Sequence, residues 1–186
     1  MTPFEISRAL DSMMVLVDTR EQDTEAFRQR IEAMGRPVER RKLDFGDYSV
    51  ACHLPDGTDL DLSGRAAVER KMSMDELCSC YVNRKESRGR DRFVREFERA
   101  AATGAKLYLL IENGSWEKAY NGVYRSQMNP KSLVASMLAW LARYNCQILF
   151  CKPETSGKLI GDILYRELKE HLENGTYGSI VDQNAV

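Results

Sequence analysis

The sequence has little of what soft-metal and disulfide chemistry requires. It contains only two histidines, His53 and His171, and its five cysteines follow no paired C-x-x-C pattern. A histidine or thiolate zinc site needs several such side chains at short spacings, so one is disfavoured, and the odd cysteine count argues against a disulfide framework. Cys146 and Cys151 flank an apolar run and are interpreted as buried thiols. Any bound metal is expected to be a hard cation held by oxygen atoms.

Long apolar runs are also missing. No stretch approaches the roughly 20 residues of a membrane-spanning helix, and the first residues, Met1–Glu5, lack the basic and then apolar order of a signal peptide. We therefore predict a cytoplasmic protein without a membrane partner. A single uncompartmented domain further suggests a bacterial or phage-encoded intracellular protein.

Internal repeats, low-complexity blocks and linkers rich in proline, glycine and serine are absent as well. The chain of 186 residues is 43% apolar and 30% charged, which is typical of a globular domain. We predict one domain over residues 1–186, with its core at about 13–173 and a patternless tail at 174–186.

Neither sign of charge dominates, because the net charge is −1 and the pI is near 6.2. This balance argues weakly against nucleic acid as a partner. The charge is patchy, however, since residues 83–99 hold seven basic and four acidic side chains. On a predicted helix this strip would bring together four arginines as candidate DNA contacts, with a solvated helix face as the equally weighted alternative: Arg88, Arg92, Arg95 and Arg99.

Apolar periodicity predicts alternating strands and helices. A buried strand over Met13–Val17 would deliver Asp18, Arg20 and Glu21 to its carboxyl end, where functional groups gather in α/β sheets. A helix over Thr24–Met34 follows. The next segment predicts a meander of strands near Val38–Leu43, Tyr48–Leu54, Asp59–Leu62 and Ala66–Arg70.

The second half continues the α/β pattern. Its predicted elements are helices over Met74–Tyr81 and Arg88–Ala102, a strand over Lys106–Glu112, a helix starting at Asn129-Pro130, a strand over Cys146–Cys151 and a helix capped by Thr155 or Ser156. The third of these helices carries an apolar stripe of Leu133, Met137, Leu141 and Tyr144. We predict an α/β fold with a central mixed sheet flanked by helices.

Two short motifs in the predicted meander carry chemistry. They are Gly46-Asp47-Tyr48 and Val68-Glu69-Arg70-Lys71, the second followed by Asp75. Because side chains alternate along a strand, Glu69 and Lys71 share one face and Arg70 points the other way. Carboxylates beside a lysine suit a divalent metal and a phosphodiester. Singly, each acidic residue could instead be a turn, helix-start or strand-edge residue; together they predict a metal-dependent nuclease.

In this order Val17–Glu21, Gly46–Tyr48, Val68–Lys71 with Asp75, and Leu110–Glu112 resemble the nuclease domain of the XPF family of structure-specific endonucleases. The resemblance covers roughly Val15–Cys151. It implies a restriction-endonuclease-like core that uses Mg²⁺ or Mn²⁺ to cut DNA near junctions between double and single strands.

The resemblance also implies residue roles. Asp47 and Glu69 would be the principal metal ligands, with Asp18 and Glu21 completing the acidic site. Arg20, Arg70, Lys71 and Asp75 match the family's other functional positions. Lys71 would position or help to deprotonate the attacking water, and Arg70 would hold either the fold or a phosphate.

One departure concerns DNA binding. Relatives usually carry a tandem helix-hairpin-helix module after this domain, whereas only 13 residues follow Glu173 here. We expect a partner protein, a homodimer or the arginine strip to supply the grip on junction DNA. The alternatives are an inactive nuclease-fold subunit that binds DNA or a partner nuclease, which the retained acidic set disfavours, and a nuclease acting on RNA or replication intermediates.

Overall fold

The structure is a computed structural model that describes the backbone of residues 1–82 and 87–176 and the side chains of residues 1–81 and 93–176. The strands are β1 Met14–Asp18, β2 Val38–Arg41, β3 Tyr48–His53, β4 Asp59–Asp61, β5 Ala66–Lys71, β6 Lys106–Glu112 and β7 Cys146–Cys151. The helices are α1 Pro3–Asp11, α2 Glu25–Met34, α3 Met74–Val82, α4 Ser87–Ala102, α5 Trp116–Asn121, α6 Pro130–Arg143 and α7 Pro153–Glu173.

All these strands join one sheet in the order β2-β1-β3-β5-β6-β7, with β4 paired to β3. The sheet is mixed: β3 is antiparallel to β1 and β5, whereas β5, β6 and β7 are parallel. The predicted α/β fold with a central mixed sheet and flanking helices is confirmed.

The predicted meander over residues 38–71 is wrong in its first strand. β2 pairs with β1 in parallel, with Val15 opposite Val38, and β1 separates it from β3. The reason is that α2 crosses over between β1 and β2, and such a crossover returns the chain parallel to its first strand.

Two hydrophobic cores lie on opposite faces of the sheet. On one face α1, α2 and α7 pack against β-strand residues such as Val17, Val68 and Leu110. On the other, α3, α4 and α6 cover Ala67, Leu109 and their neighbours. Because successive strand residues point to opposite faces, β5 sends Val68 and Arg70 towards the α2/α7 layer and Ala67, Glu69 and Lys71 towards the α3/α4 layer.

Several helix details differ from prediction. The sequence pattern did not predict α1, whose Thr2 and Glu5 form a capping box, or the six-residue α5. The buried face of α6 uses Val134 and Trp140 with Leu133 and Met137, whereas Leu141 is exposed. The reason is that Trp140 packs against Phe93 and Phe97 of α4, with ring centroids 4.5 Å apart in both pairs.

Within the described ranges, no helix combines the length and apolar character needed to cross a membrane.

Candidate active site

The two predicted acidic motifs meet where β3 and β5 join. These strands pair at Tyr48 and Val68, and the Asp47 N–H donates to the Val68 carbonyl at 2.8 Å. Gly46 makes this approach possible: its φ is +71°, and a Cβ there would lie 2.7 Å from the Ala67 Cβ. The Asp47 carboxylate in turn accepts a bond from the Arg70 N–H at 2.8 Å. The fold therefore fixes Asp47 beside β5.

The neighbouring pair on β5 is Glu69 and Lys71. The Lys71 Nζ donates to the Glu69 Oε1 at 2.6 Å, and both residues are buried. Lys71 also lies over the Phe93 ring, with its Nζ 4.8 Å from the centroid. The placement of Glu69 and Lys71 on one strand face, predicted from strand alternation, is confirmed.

Arg70 points the other way, as predicted. Its Nε and one Nη donate to the two carboxylate oxygens of Glu112 at 2.7 and 2.9 Å. Although burial opposes it, the Arg70 pair and a bond from Ser156 hold the pKa of Glu112 below its usual value. Glu112 is the last residue of Leu110–Glu112, the fourth motif that resembles the XPF family. It is thus the structural partner of Arg70.

The electrostatics around Asp47 and Glu69 indicate surplus negative charge. Burial, and then the Glu69 carboxylate, raise the pKa of Asp47 well above its usual value. Burial also raises the pKa of Glu69, and Glu96 adds to the effect while Lys71 opposes it. Burial would lower the pKa of Lys71, but Glu69, Cys80 and Asp47 together outweigh it and the pKa is raised. Lys71 is therefore a protonated ammonium at neutral pH.

Asp18 has a different environment from the other predicted metal ligands. It has no solvent exposure, and its oxygens accept bonds from the Arg20 N–H at 2.8 Å, the Arg20 guanidinium and the Leu43 N–H at 2.7 Å. Although burial opposes it, these donors lower the pKa of Asp18. Its carboxylate organises the backbone after β1, and these three bonds use three of its roughly four acceptor positions.

Arg20 links the loop after β1 to α4. Its Nη1 donates to Glu96 Oε1 at 3.0 Å, and Glu96 is only 5% exposed. The sequence analysis missed Glu96. The available signal was its position between Phe93 and Phe97 on the apolar face of the predicted helix, where a charged residue needs a partner.

A cleft of about 310 Å³ opens beside these residues, lined by Arg20, Glu21, Asp47, Lys71 and Glu76 among others. Glu21 accepts a bond from the Tyr48 hydroxyl at 2.8 Å. Glu76, also missed from sequence, accepts the Met72 N–H at 2.7 Å and has an oxygen 3.9 Å from the Lys71 Nζ. The cleft thus brings together Glu21, Asp47 and Lys71, with Glu69 buried behind Lys71.

Asp75 lies in the first turn of α3, as predicted, but is occupied elsewhere. One of its oxygens accepts the N–H groups of Arg125 and Ser126, both at 2.7 Å. It therefore holds the loop that precedes α6. Its assignment as a functional residue stays a prediction.

The arginine strip is described only in part. The backbone of α4 forms as predicted, but the side chains of Arg88 and Arg92 lie outside the described residues. Arg95 is exposed, whereas Arg99 donates from Nε to the Asp44 carbonyl at 2.7 Å. DNA contact by these arginines stays a prediction.

The donor set suits a hard divalent cation. Asp47 and Glu69 supply carboxylate oxygens only, and their mutual repulsion is what a bound cation would relieve. In the part of the chain that the structure describes, however, no three His, Cys, Asp or Glu side chains already stand close enough to hold a metal ion. The predicted set of Asp18, Glu21, Asp47 and Glu69 is thus not gathered around one point.

Comparison with known proteins agrees with this geometry. The model of the ERCC4 domain family matches residues 17–162. Among solved structures the chain is similar to XPF from Aeropyrum pernix, with a TM-score of 0.52 and 20% sequence identity over 81% of this chain and 64% of that one. At this identity the structural likeness shows the fold alone, and the chain covers less than two thirds of the length of that relative. No curated protein matches.

The family match includes both acidic motifs and extends over most of the described sheet. The chain therefore belongs to the ERCC4 domain family, the XPF-type nuclease domains.

Proposed function

We propose that this protein is a divalent-metal-dependent DNA endonuclease that hydrolyses phosphodiester bonds near junctions between double and single strands. The observation that carries the proposal is the convergence of Asp47 and Glu69, two carboxylates with raised pKa values, with the ammonium of Lys71. Perturbed carboxylates in a cleft are typical of functional sites. A folded domain has no structural need for this costly arrangement.

Asp47 and Glu69 would hold Mg²⁺ or Mn²⁺, with Glu21 within the same cleft as a further oxygen donor. When bound, the cation would polarise the scissile phosphate and lower the pKa of a water molecule. Lys71 is protonated, so it orients a water or phosphate oxygen as a hydrogen-bond donor rather than acting as the base. Arg20 positions the loop that carries Glu21.

We propose that DNA binding also draws on exposed surfaces of this domain outside the cleft. The exposed Arg95 on α4 offers a positive charge, and α6 exposes Leu138 and Leu141, which suit a homodimer or a partner subunit. We propose that one of these supplies the selectivity for branched DNA. Light scattering on the free protein and on its complex with splayed-arm DNA would measure the stoichiometry.

The primary test is cleavage of end-labelled duplex, single-stranded, splayed-arm and flap DNA with Mg²⁺ or Mn²⁺. Wild type should cut near the junction, and the isosteric variants D47N and E69Q should lose at least a hundredfold in rate. D162N, which removes an exposed carboxylate on α7, is the matched control and should retain activity. Equal cleavage by wild type and D47N would reject the proposed site.

The second candidate is an inactive nuclease-fold subunit. This candidate is favoured by the ion pairs of Glu69 with Lys71 and of Asp18 with Arg20, because carboxylates paired within the protein are less available to bind a metal ion. DNA binding that is equal in wild type, D47N and E69Q, with every substrate left intact, would support this candidate and direct the search to a partner nuclease.

A further inference from the structure

A second cavity adjoins the cleft on the α2/α7 side of the sheet. It measures about 450 Å³ and lies between α2 and the start of α7. Arg30 of α2 and Arg70 of β5 line both this cavity and the cleft, so they form a shared wall. A ligand that lies in the cleft can therefore continue past these two arginines into the second cavity.

The charges in this wall do not balance. Arg70 is neutralised by its two bonds to Glu112. Arg30 is only 7% exposed, and its one hydrogen bond among the described residues runs from Nε to the Tyr48 hydroxyl at 3.3 Å. Across those same residues, no carboxylate lies within ion-pair distance of Arg30. Glu21 is reached only through Tyr48, and Glu112 is near enough for Arg30 to help lower its pKa, although its two oxygens are already bonded to Arg70. Because Glu112 is shared with Arg70, the charge of Arg30 is only partly compensated, which favours an anion opposite it.

The backbone holds Arg30 against the first turn of α7. Gly157 allows the contact, because a Cβ at that position would lie 2.4 Å from the Arg30 carbonyl oxygen. The 21-residue α7 has no side-chain cap at its N-terminus, so its dipole and its first N–H groups favour negative charge in the same cavity. Glu154, which is exposed and also lines the cavity, opposes this effect.

We propose that this cavity binds a second phosphate of the nucleic-acid strand, next to the phosphate that is cut, with the Arg30 guanidinium as its main ligand. The proposal rests on the nuclease function proposed above and deepens it. An arginine fork matches phosphate oxygens, and the wall shared with the cleft places the two anion sites along one strand. Arg30 is thereby a positioning residue for the substrate.

The first test measures binding of splayed-arm DNA without divalent cation, at several salt concentrations. R30M, which preserves side-chain length, should bind the DNA about tenfold more weakly than wild type. The slope of log Kd plotted against log [salt] should also be smaller in R30M, by the amount that corresponds to about one phosphate contact. R28Q is the matched control, because Arg28 lies on the same helix, exposed and paired with Asp23. It should bind like wild type.

The second test needs no nuclease activity. Inorganic phosphate should raise the Tm of the wild type and of R28Q but not that of R30M, and R30M without phosphate should unfold at the same or a higher temperature than wild type. A lower Tm of R30M together with a phosphate response equal to that of wild type would assign Arg30 to holding Tyr48 and would count against the proposal. If R30M does not fold, R30K replaces it. A loss of the stabilisation by phosphate in R30K would then support binding of phosphate by the forked Arg30 guanidinium.

An unchanged salt slope in R30M, or a phosphate response equal to that of wild type, would overturn the inference. The two proposals fail separately. A phosphate response that depends on Arg30 in a protein that cuts no DNA would leave this anion site standing while the nuclease proposal fell.

Discussion

Asp47 is the residue at which stability and proposed function conflict. It lies beside Glu69, and the raised pKa means that the charged form of Asp47 costs the fold free energy. In the proposed function, the same repulsion would favour a bound cation. Natural sites often retain such destabilising groups because activity requires them.

We expect D47N to stabilise the metal-free protein by about 1 kcal/mol at pH 8. A carboxyl group with a raised folded pKa destabilises the fold above its unfolded pKa near 4, and the penalty disappears below it. The gain should therefore vanish towards about pH 4. Urea unfolding of wild type and D47N at several pH values measures it, and a gain that grows at low pH would contradict the reasoning.

Asp18 should show the opposite behaviour. Its pKa is lowered, so its charge contributes stability that is present above the unfolded pKa and is lost as pH falls through the folded pKa. D18N should cost about 1–3 kcal/mol at pH 7. The difference from wild type in urea unfolding should shrink below about pH 4. D162N serves again as a control with an exposed carboxylate.

At the scale of elements, two glycines let α7 approach α2 closely. Gly157 lies against the Arg30 carbonyl, and a Cβ at Gly161 would lie 3.1 Å from the Met34 carbonyl. Small residues at these two positions let the helix backbones approach. The wall between the cleft and the second cavity depends on this approach.

G157A should therefore destabilise the fold by about 1–3 kcal/mol, because the added methyl group forces α7 away from α2. G64A is the control, since nothing lies within 4 Å of a Cβ at Gly64. Thermal unfolding compares the two variants. Equal Tm values would show that α7 can shift at little cost.

The elements also show what sequence could and could not predict. The strands β3 and β5 and the shared face of Glu69 and Lys71 follow from alternation, which is a local property. The parallel pairing of β2 with β1 and the partners of Asp18 and Arg20 depend on residues far apart in sequence. Glu96 lies 76 positions from Arg20, and no local pattern encodes that distance. The short α5 gives too little periodicity to detect.

At the scale of the whole molecule, the site draws on both layers. Glu69 and Lys71 face α4, Arg70 faces α2 and α7, and Asp47 lies at the junction of β3 with β5. A cation bound to Asp47 and Glu69 would relieve repulsion at this junction, and its binding energy would add to the stability of the entire fold.

Mn²⁺ at about a hundredfold above its Kd should stabilise wild type by about 2.7 kcal/mol, measured as a rise in Tm. The double variant D47N/E69Q should show no rise, and D162N should respond like wild type. An equal response in the double variant would place the cation elsewhere.

The packing of α7 has a consequence for synthesis on the ribosome. Ile160, Leu164, Leu168 and Leu172 complete the core that also contains Ala9, Val17 and Phe27. A nascent chain presents the N-terminal strands early, but their covering helix emerges only after residue 172. We expect the early segments to stay unprotected until then, so the cleft is complete only once the closing helix has left the ribosome and docked.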